Sequence, residues 1–401
     1  MLPDGWKIQV VGALFEVQLG KMLNKAAKEK EPQVRYLTNF NVRWGSFDTS
    51  RLNTMYFSER EQEKFSLKSG DIIMCEGGDV GRCAIWLGTD FPCYYQKALH
   101  RLRTKGDILP EYFQAYMTSI AGSKLLDDYT SRTSIAHLTR EKLVELPVKV
   151  PPLLEQKKIA QILSTWDNAI SATERLLENS QQRKKALMQQ LLTGKKRLPG
   201  FEGEWTVNSI EKVFAITRGG VQETVEKGKY DLIVMGSISE KGRLIIKNRT
   251  NSNLNLLSVN DLVMPERDIG NGLIIGRTVI IEKNDQYVLG PNVLRLRLKN
   301  NQSHSAMFWN FLFNTYHVRK EVKKITSGTS QLMITGKDVK RLSVYIPVNP
   351  SEQQAIANVL TTADQEIDAL QKRLGHLKQE KKALMQQLLT GKRRVQVDAA
   401  A

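Results

Sequence analysis

Residues 184–195 read KKALMQQLLTGK, and residues 381–392 repeat these letters without a single change. Two identical segments about 200 residues apart indicate a tandem duplication. The repeat has to be recognised first, because it determines how the rest of the chain divides into structural units.

The repeat extends upstream in weaker form. Glu155 and Gln156 align with Glu352 and Gln353. Further matched pairs are Ile159 with Ile356, Asp167 with Asp364, Val150 with Ile346, and Trp6 with Trp205. The chain is therefore ordered as globular segment, long helix, globular segment, long helix. The predicted boundaries are 1–151 and 198–349 for the globular segments, 152–197 and 350–394 for the helical regions, and 395–401 for a tail that we leave out of the fold.

Each helical region begins after proline and ends at glycine. Pro152 and Pro350 stand at the starts, and Gly194 and Gly391 follow the last turns. Apolar residues recur at alternating steps of four and three, which is coiled-coil spacing. A helix of about 40 residues is about 60 Å long. Because neither apolar seam can face water, we predict that the two helices pair antiparallel, with a pseudo-twofold axis between them.

Some seam positions are polar. They are Thr173, Ser180, Lys184 and Lys381. Two interpretations stay open at this point: these residues fix the register of the helix pair, or they face a third helix supplied by a partner.

Both globular segments contain short β-type runs separated by Gly, Asn and Asp turns. Each also contains a predicted helix, at residues 110–126 and 305–323. The predicted fold class is therefore α+β: two mixed α/β segments joined by two long helices that form an antiparallel, pseudo-twofold coiled coil.

The composition favours a polyanionic partner. The chain carries a formal charge of +17, from 59 Lys and Arg against 42 Asp and Glu. The alternative is a protein that is basic for no functional reason. The three cysteines lack C-x-x-C spacing, which argues against a disulfide framework and a zinc ribbon. With neither a secretion leader nor a run of about 18 apolar residues, we expect a cytoplasmic protein that does not enter a membrane.

Candidate contacts to DNA are basic and small polar residues in loops, where Arg and Gln can read base edges and Ser and Thr can bind phosphate. Glycine-rich residues 77–82 and their counterpart at 265–271 form two such loops, and residues 132–134 and 328–331 form two more. For any one residue the alternative is an ordinary solvated turn. The predicted DNA-binding residues are Arg43, Gly78, Arg82, Arg132, Thr133, Ser134, Arg267, Asn271, Thr329, Ser330 and Gln331.

The identical helix ends at 184–195 and 381–392, which we call the repeated tips, match even at surface-type positions. A paired coil tolerates many sequences there, so identity indicates either a recent duplication or one partner surface met twice. The predicted partner-binding residues are Leu187, Gln190, Leu191, Leu384, Gln387 and Leu388.

Catalytic motifs are missing from the sequence. There is no G-x-x-x-x-G-K-[ST] phosphate loop and no Asn/Asp-Pro-Pro-Tyr/Phe stretch of an amino-methyltransferase. Pro92 and Cys93 lack the other motifs of a cytosine methyltransferase, and the histidines show no metal-ligand spacing. The sequence predicts a chain without catalytic activity of its own.

The whole pattern resembles the specificity (S) subunit of type I restriction-modification enzymes. The resemblance depends on a proline, then Glu and Gln, then a long helix ending in Leu-Leu-Thr-Gly, all of it occurring twice, and it covers nearly the whole chain. It implies that the globular segments are target recognition domains, each reading half of a split, asymmetric DNA site through the major groove, and that the helices set the spacing.

The resemblance also implies partners and cofactors. Two modification subunits would bind S-adenosylmethionine, and two restriction subunits would use ATP and Mg²⁺. No cofactor is expected in this chain. Two alternatives stay open: a stand-alone coiled-coil DNA-binding regulator or scaffold, and a self-contained enzyme, which the missing motifs disfavour.

Overall fold

The computed structural model describes residues 2–131, 136–270, 272–328 and 331–397. The chain divides into two compact units. Unit 1 comprises Met1–Glu174 and Arg373–Ala401, and unit 2 comprises Arg175–Lys372. Each long helix therefore contributes one part to each unit. In the described residues, no helix combines the length and apolarity needed to cross a membrane.

Unit 1 builds its globular segment from short strands and helices that precede the first long helix. These elements are β1 (Lys7–Val10), α1 (Val11–Leu14), β2 (Phe15–Leu19), α2 (Lys25–Glu29), β3 (Gln33–Leu37), β4 (Val42–Arg43), β5 (Ser46–Phe47), β6 (Asn53–Tyr56), α3 (Glu59–Phe65), β7 (Ile72–Cys75), β8 (Cys83–Ile85), β9 (Tyr94–Tyr95), β10 (Leu99–Thr104), α4 (Pro110–Ile120), α5 (Lys124–Asp128), α6 (Arg140–Glu145) and β11 (Pro147–Val150). The first long helix is α7 (Leu153–Leu191).

Unit 2 repeats this scheme between the long helices. Its elements are β12 (Trp205–Ser209), α8 (Ile210–Val213), β13 (Phe214–Arg218), β14 (Tyr230–Ile233), a 3-10 turn (Met235–Ser237), β15 (Asn248–Thr250), β16 (Leu262–Pro265), β17 (Arg267–Asp268), β18 (Val279–Ile280), β19 (Tyr287–Leu289), β20 (Val293–Leu298), α9 (Ala306–Phe313), α10 (Tyr316–Lys324), β21 (Leu332–Met333), α11 (Gly336–Arg341) and β22 (Ser343–Pro347). The second long helix is α12 (Pro350–Leu388).

The two units share one sheet topology. A four-stranded antiparallel sheet has the order β2-β10-β7-β8 in unit 1 and β13-β20-β16-β18 in unit 2. A ribbon of two strands, β1 with β11 or β12 with β22, leads to the following long helix. A three-stranded sheet with one parallel pair completes each domain, β6-β3-β9 or β15-β14-β19. The predicted mixed α/β segments are thus two copies of one fold.

Each unit has its own apolar core. In unit 1, the rings of Phe15 and Phe113 pack at a tilt, 4.6 Å between centroids, in the same buried cluster as Ile159 and Leu163 of α7. In unit 2, Phe214 and Trp309 meet edge-on at 5.2 Å, and Leu360 of α12 belongs to the same buried cluster. Because the helix seams pack into the cores of the two units, the long helices are integral parts of both globular segments.

The helical segments within each unit run antiparallel. In unit 1, Lys381 Nζ lies 2.5 Å from Asp167 Oδ1. In unit 2, Lys184 Nζ lies 2.5 Å from Asp364 Oδ1, and Ser180 Oγ donates to Glu366 Oε1 at 2.9 Å. Both seam lysines thus meet equivalent aspartates of the repeat. This geometry supports their interpretation as register-fixing residues.

A buried Glu-Gln pair starts each long helix. In unit 2, the Glu352 carboxylate accepts hydrogen bonds from Arg197 Nε at 2.5 Å, Arg197 Nη2 at 2.6 Å and Trp205 Nε1 at 3.3 Å. In unit 1, Glu155 accepts from Arg394, and from Trp6 Nε1 at 3.1 Å. In each unit these contacts join the start of one long helix to the segment that follows the other long helix and to the tryptophan at or just before the first strand.

The neighbouring glutamines bind backbone groups. Gln156 Nε2 donates to the carbonyls of Pro151 and Asp107, and its Oε1 accepts from the amide of Leu109 at 2.8 Å. Gln353 repeats this with the carbonyl of Pro347 and the amide of Ser305. The Glu-Gln repeat seen in the sequence is therefore explained by buried polar groups that need these partners.

The element boundaries differ from the prediction in places. Both long helices end at leucine, and the chain turns at Gly194 and Gly391, whose φ angles are +70° and +76°. The helix predicted at 110–126 is two helices, because Gly122 adopts a φ of +65° between them. The one predicted at 305–323 is also divided, because the Thr315 side chain caps α10 through the Val318 amide.

Arg197→Met should lower the free energy of unfolding by about 3 kcal/mol, because methionine keeps the apolar stem but leaves the buried Glu352 carboxylate without its cation. Arg243→Met is the matched control, since Arg243 pairs with Asp368 where both side chains are about half exposed, and its loss should stay below about 1 kcal/mol. Urea denaturation of the whole chain measures both. Equal losses of unfolding free energy in the two variants would show that the buried ion pair stabilises the fold no more than the exposed one.

Candidate nucleic-acid interface

Backbone pairing brings the predicted DNA-contacting loops of unit 2 together. Strand β17 pairs antiparallel with β21, with Arg267 opposite Met333 and Asp268 opposite Leu332. The amide of Ile334 also donates to the carbonyl of Glu266 at 2.9 Å. Residues 266–268 and 332–334, which are far apart in sequence, are therefore side by side.

Unit 1 places its predicted loops in the same way. Single β-bridges join Gly77 and Ser131 to His137, and the amide of Leu138 donates to the carbonyl of Glu76 at 2.7 Å. A Cβ atom at Gly77 would lie 2.8 Å from the His137 ring, so any larger residue at this position would require the ring to move. Residues 76 and 77 thus lie beside Ser131 and residues 137–138.

Buried polar groups shape the loop after β17. The Asp268 side chain accepts the amides of Ile274 at 2.7 Å and Ile275 at 3.0 Å. Arg319 Nη2 donates to the carbonyls of Gly272 and Leu273. Burial, and then repulsion by Arg319, lowers the pKa of Arg277 below its ordinary value. These contacts bind the backbone of residues 272–275 to the side chains of Asp268 and Arg319.

Unit 2 contains a basic cavity of about 570 Å³ at the end of β13. Its polar lining residues are Thr217, Arg218, Glu266, Arg267, Thr335, Lys337 and Lys340. Arg218 Nε donates to Glu266 Oε2 at 2.6 Å. A cavity with several cations beside an exposed arginine is suited to a phosphate or a base edge of DNA.

Unit 1 has a different side chain at the matching point. In both sheets the register identifies equivalent positions: Leu19 is opposite His100, which is opposite Met74, and Arg218 is opposite Leu294, which is opposite Met264. Leucine therefore occupies in unit 1 the place that arginine occupies in unit 2. The two units thus share the fold but carry different side chains at this strand end.

The described residues among the predicted DNA contacts differ in exposure. Arg43 is exposed on β4 and lies 3.9 Å from Asp48. Gly78 is exposed with a φ of +79°. Arg82 is only 19% exposed and donates to the carbonyl of Asn39 at 3.0 Å, so its guanidinium supports the loop from within.

Other predicted contacts lie close to the cavity or outside the description. Arg267 lines the cavity, and half-buried Gln331 directly precedes β21. Six predicted contacts lie outside the described residues: Arg132, Thr133, Ser134, Asn271, Thr329 and Ser330. The DNA-binding role of the whole set stays a prediction.

The structure adds three basic residues that the sequence prediction missed. Arg218 ends a strand, and Lys337 and Lys340 lie on the short helix α11. The sequence search considered loops, whereas these residues reach the cavity from regular elements. The pair Gly219 and Gly220 directly after Arg218 was the available signal, since glycine pairs mark the end of a strand.

The repeated tips divide into buried and exposed faces. Leu191 and Leu388 are each 2% exposed and belong to the cores of units 2 and 1. They are therefore used inside their own units, which leaves them little surface for the partner predicted from the sequence. Leu187 and Leu384 are half-buried.

Exposed glutamines make up the outer face of both tips. Gln190 and Gln387 are exposed. In unit 2, a cavity of about 1180 Å³ adjoins Gln190, and exposed Val207, Tyr316 and Tyr345 line it. Partner binding by the tips stays a prediction.

Buried titratable groups near the unit 1 loops are structural. His100 is fully buried, and one ring nitrogen lies 2.9 Å from the carbonyl of Leu138. Burial lowers the pKa of His100, so the ring is neutral at neutral pH. Burial also raises the pKa of the Cys75 thiol, although Arg82 opposes the shift. Within the ranges that the structure describes, no group of three or more His, Cys, Asp and Glu is placed to hold a metal ion.

Known proteins share both the sequence pattern and the fold. The family model described as "Type I restriction modification DNA specificity domain" matches residues 3–179 and again residues 202–379. The type I restriction enzyme MjaVIII specificity subunit of Methanocaldococcus jannaschii is 25% identical to the chain, over 98% of this chain and 94% of that protein.

Solved structures agree over nearly the whole length. The S subunit of a type I restriction-modification system from M. genitalium superposes with a TM-score of 0.63 at 16% identity, covering 97% of this chain and 98% of that one. The HsdS subunit from Thermoanaerobacter tengcongensis gives 0.51 at 16% identity, covering 97% and 98%. This likeness confirms the predicted α+β fold class. Because the family model matches both halves of the chain, the chain belongs to the type I restriction-modification DNA specificity family.

Proposed function

We propose that each unit binds one half of a bipartite, asymmetric DNA site with its paired loops. The observation that carries this proposal is the backbone pairing of the described loop residues, which follows the equivalent strand, β7 or β16, in both units. A duplicated frame that presents different side chains at matching points is what reading two different half-sites requires. The family membership gives the role, that of the non-catalytic specificity subunit.

The charges are consistent with binding to the DNA backbone. The net charge of +17 favours association with DNA at low salt. In unit 2, Arg218, Lys337 and Lys340 concentrate positive charge at the loop edge. We propose that these residues and the loops follow the DNA, with phosphate contacts setting the position and loop side chains reading bases.

We further propose that the exposed faces of the repeated tips dock two modification subunits, which bind S-adenosylmethionine. Two restriction subunits, which use ATP and Mg²⁺, would complete the enzyme. The support is chemical: Gln190 and Gln387 are exposed, and their tips are identical in sequence. Identity at exposed positions is explained if the same partner surface meets both. The helices α7 and α12 would set the spacing between the half-sites, and the protein would act in the cytoplasm, where chromosomal DNA is available.

Exchange of residues 1–150 for the same segment of a relative with a different site should change only one half of the methylated sequence. The reason is that each unit carries its own core and its own loop pair. Methylome sequencing of cells carrying the hybrid with its modification subunits gives the answer. The reciprocal exchange of residues 198–349 is the control, and a change in both halves from either exchange would refute independent reading.

Changing Gln386 and Gln387 to Glu should reduce the number of bound modification subunits from two to one. The substitution removes amide donors and adds charge at one tip while leaving the apolar seam intact. Native mass spectrometry of the co-expressed complex counts the subunits. The control variant carries the same Gln-to-Glu change at Gln371 and Gln379, which are exposed on the same helix but lie outside the repeated tip. If both variants bind two subunits equally well, the docking surface lies elsewhere.

A further inference from the structure

Arg218 is an exposed arginine held by a buried carboxylate. Its side chain is 60% exposed, whereas that of Glu266 is 9% exposed. The hydrogen bond at 2.6 Å uses Nε of Arg218. Among the described residues, neither Nη atom of Arg218 makes a hydrogen bond, so the planar end of the guanidinium stays available to a ligand.

Two other arginine–carboxylate pairs, one in each unit, differ from it in being shared by both units. Arg103 with Asp71 in unit 1 and Arg297 with Asp261 in unit 2 form the same bond pattern, in which both Nε and Nη2 are used. Such pairs recur in both units because the shared fold needs them. Arg218 does not recur, since Leu19 occupies its place in unit 1.

The backbone after Arg218 is fixed as firmly as its side chain. The amide of Gly219 donates to the carbonyl of Val293 at 3.0 Å. A side chain at Gly219 would start 1.9 Å from the carbonyl oxygen of Gly290, so only glycine permits this close packing. Arg218 therefore projects from a rigid strand end into the basic cavity, where Lys337 and Lys340 are further cations.

We propose that Arg218 reads a guanine in the half-site bound by unit 2, and that Glu266 is the positioning residue for it. The free Nη edge of an arginine matches the O6 and N7 acceptors of guanine in the major groove. Fixing Nε in advance reduces the side-chain entropy that is lost on binding. Lys337 and Lys340 then contact neighbouring phosphates. This inference rests on the proposed reading of one half-site by each unit.

The test uses the complete complex of this chain with its modification subunits. Once methylome sequencing has given the site, competition binding with duplexes substituted at each base pair measures discrimination. Arg218→Lys keeps the charge but removes the planar fork. We expect this variant to lose about 5- to 150-fold of its preference for the correct base pair at a single G·C position in the half-site bound by unit 2. Its preferences in the half-site bound by unit 1 should not change. Arg243→Lys, a conservative change of another exposed and paired arginine of unit 2, should lose none.

Glu266→Gln tests the positioning role. It preserves the shape of the side chain and removes its charge, so discrimination should fall at the same base pair and by less than in Arg218→Lys. In the double variant the second substitution should add nothing at that base pair, because both act through one contact. If Glu266→Gln lowers only the melting temperature of the complex, or changes discrimination elsewhere, Glu266 is structural and the positioning role is wrong.

The remaining outcomes also decide the matter. Unchanged discrimination in Arg218→Lys would overturn the inference, as would a second half-site made only of A·T pairs. If Arg218→Ala weakens binding uniformly over all sequences and reduces the salt dependence by about one charge, Arg218 contacts phosphate and reads no base. If the wild-type complex shows no sequence preference in one half-site, the proposed function itself is refuted. If the wild-type complex is sequence-specific but the variants bind as it does, only the inference about Arg218 and Glu266 is refuted.

Discussion

A buried carboxylate at the start of each long helix is the constraint on which each unit depends. Glu352 binds Arg197, which follows α7, and the indole of Trp205 at the start of β12. Glu155 likewise binds Arg394, which follows α12, and the indole of Trp6, just before β1. A carboxylate removed from water is costly unless its hydrogen bonds are satisfied. Each pair therefore requires that the domain, the start of one helix and the end of the other meet in one arrangement, and misaligned helices would leave the charge buried alone.

This arrangement separates what has to stay constant from what is free to vary. The carboxylate, the neighbouring glutamine, the seam lysines and the four-stranded sheet recur in both units. The side chains at the strand ends next to the loops take no part in these contacts. They are therefore free to differ, as Leu19 in unit 1 and Arg218 in unit 2 do. The loop surfaces of the two units can therefore differ although the units share one fold. The long helices carry the shared contacts, which explains why they changed less than the globular segments.

The sequence predicted the long helices, their antiparallel pairing and the mixed character of the domains, because helix periodicity and an exact repeat are local signals. It did not predict the order of the strands, since pairing of β10 between β2 and β7 depends on contacts far apart in the chain. It also treated Leu191 and Leu388 as candidates for a partner surface, because a seam position looks the same whether it packs on a helix or on a domain core. Arg218 was missed because the prediction considered loops, whereas Arg218 ends a strand, and because its neighbour Glu266 is distant in sequence.

The central claim is that the paired loops of both units are the DNA-contacting surface. Hydrogen–deuterium exchange of the complete complex, with and without a duplex containing its site, tests this most directly. The account predicts slower exchange on DNA binding in residues 76–82 and 131–138 of unit 1 and in residues 265–271 and 328–340 of unit 2. Protection confined to other segments, with these four unchanged, would contradict it.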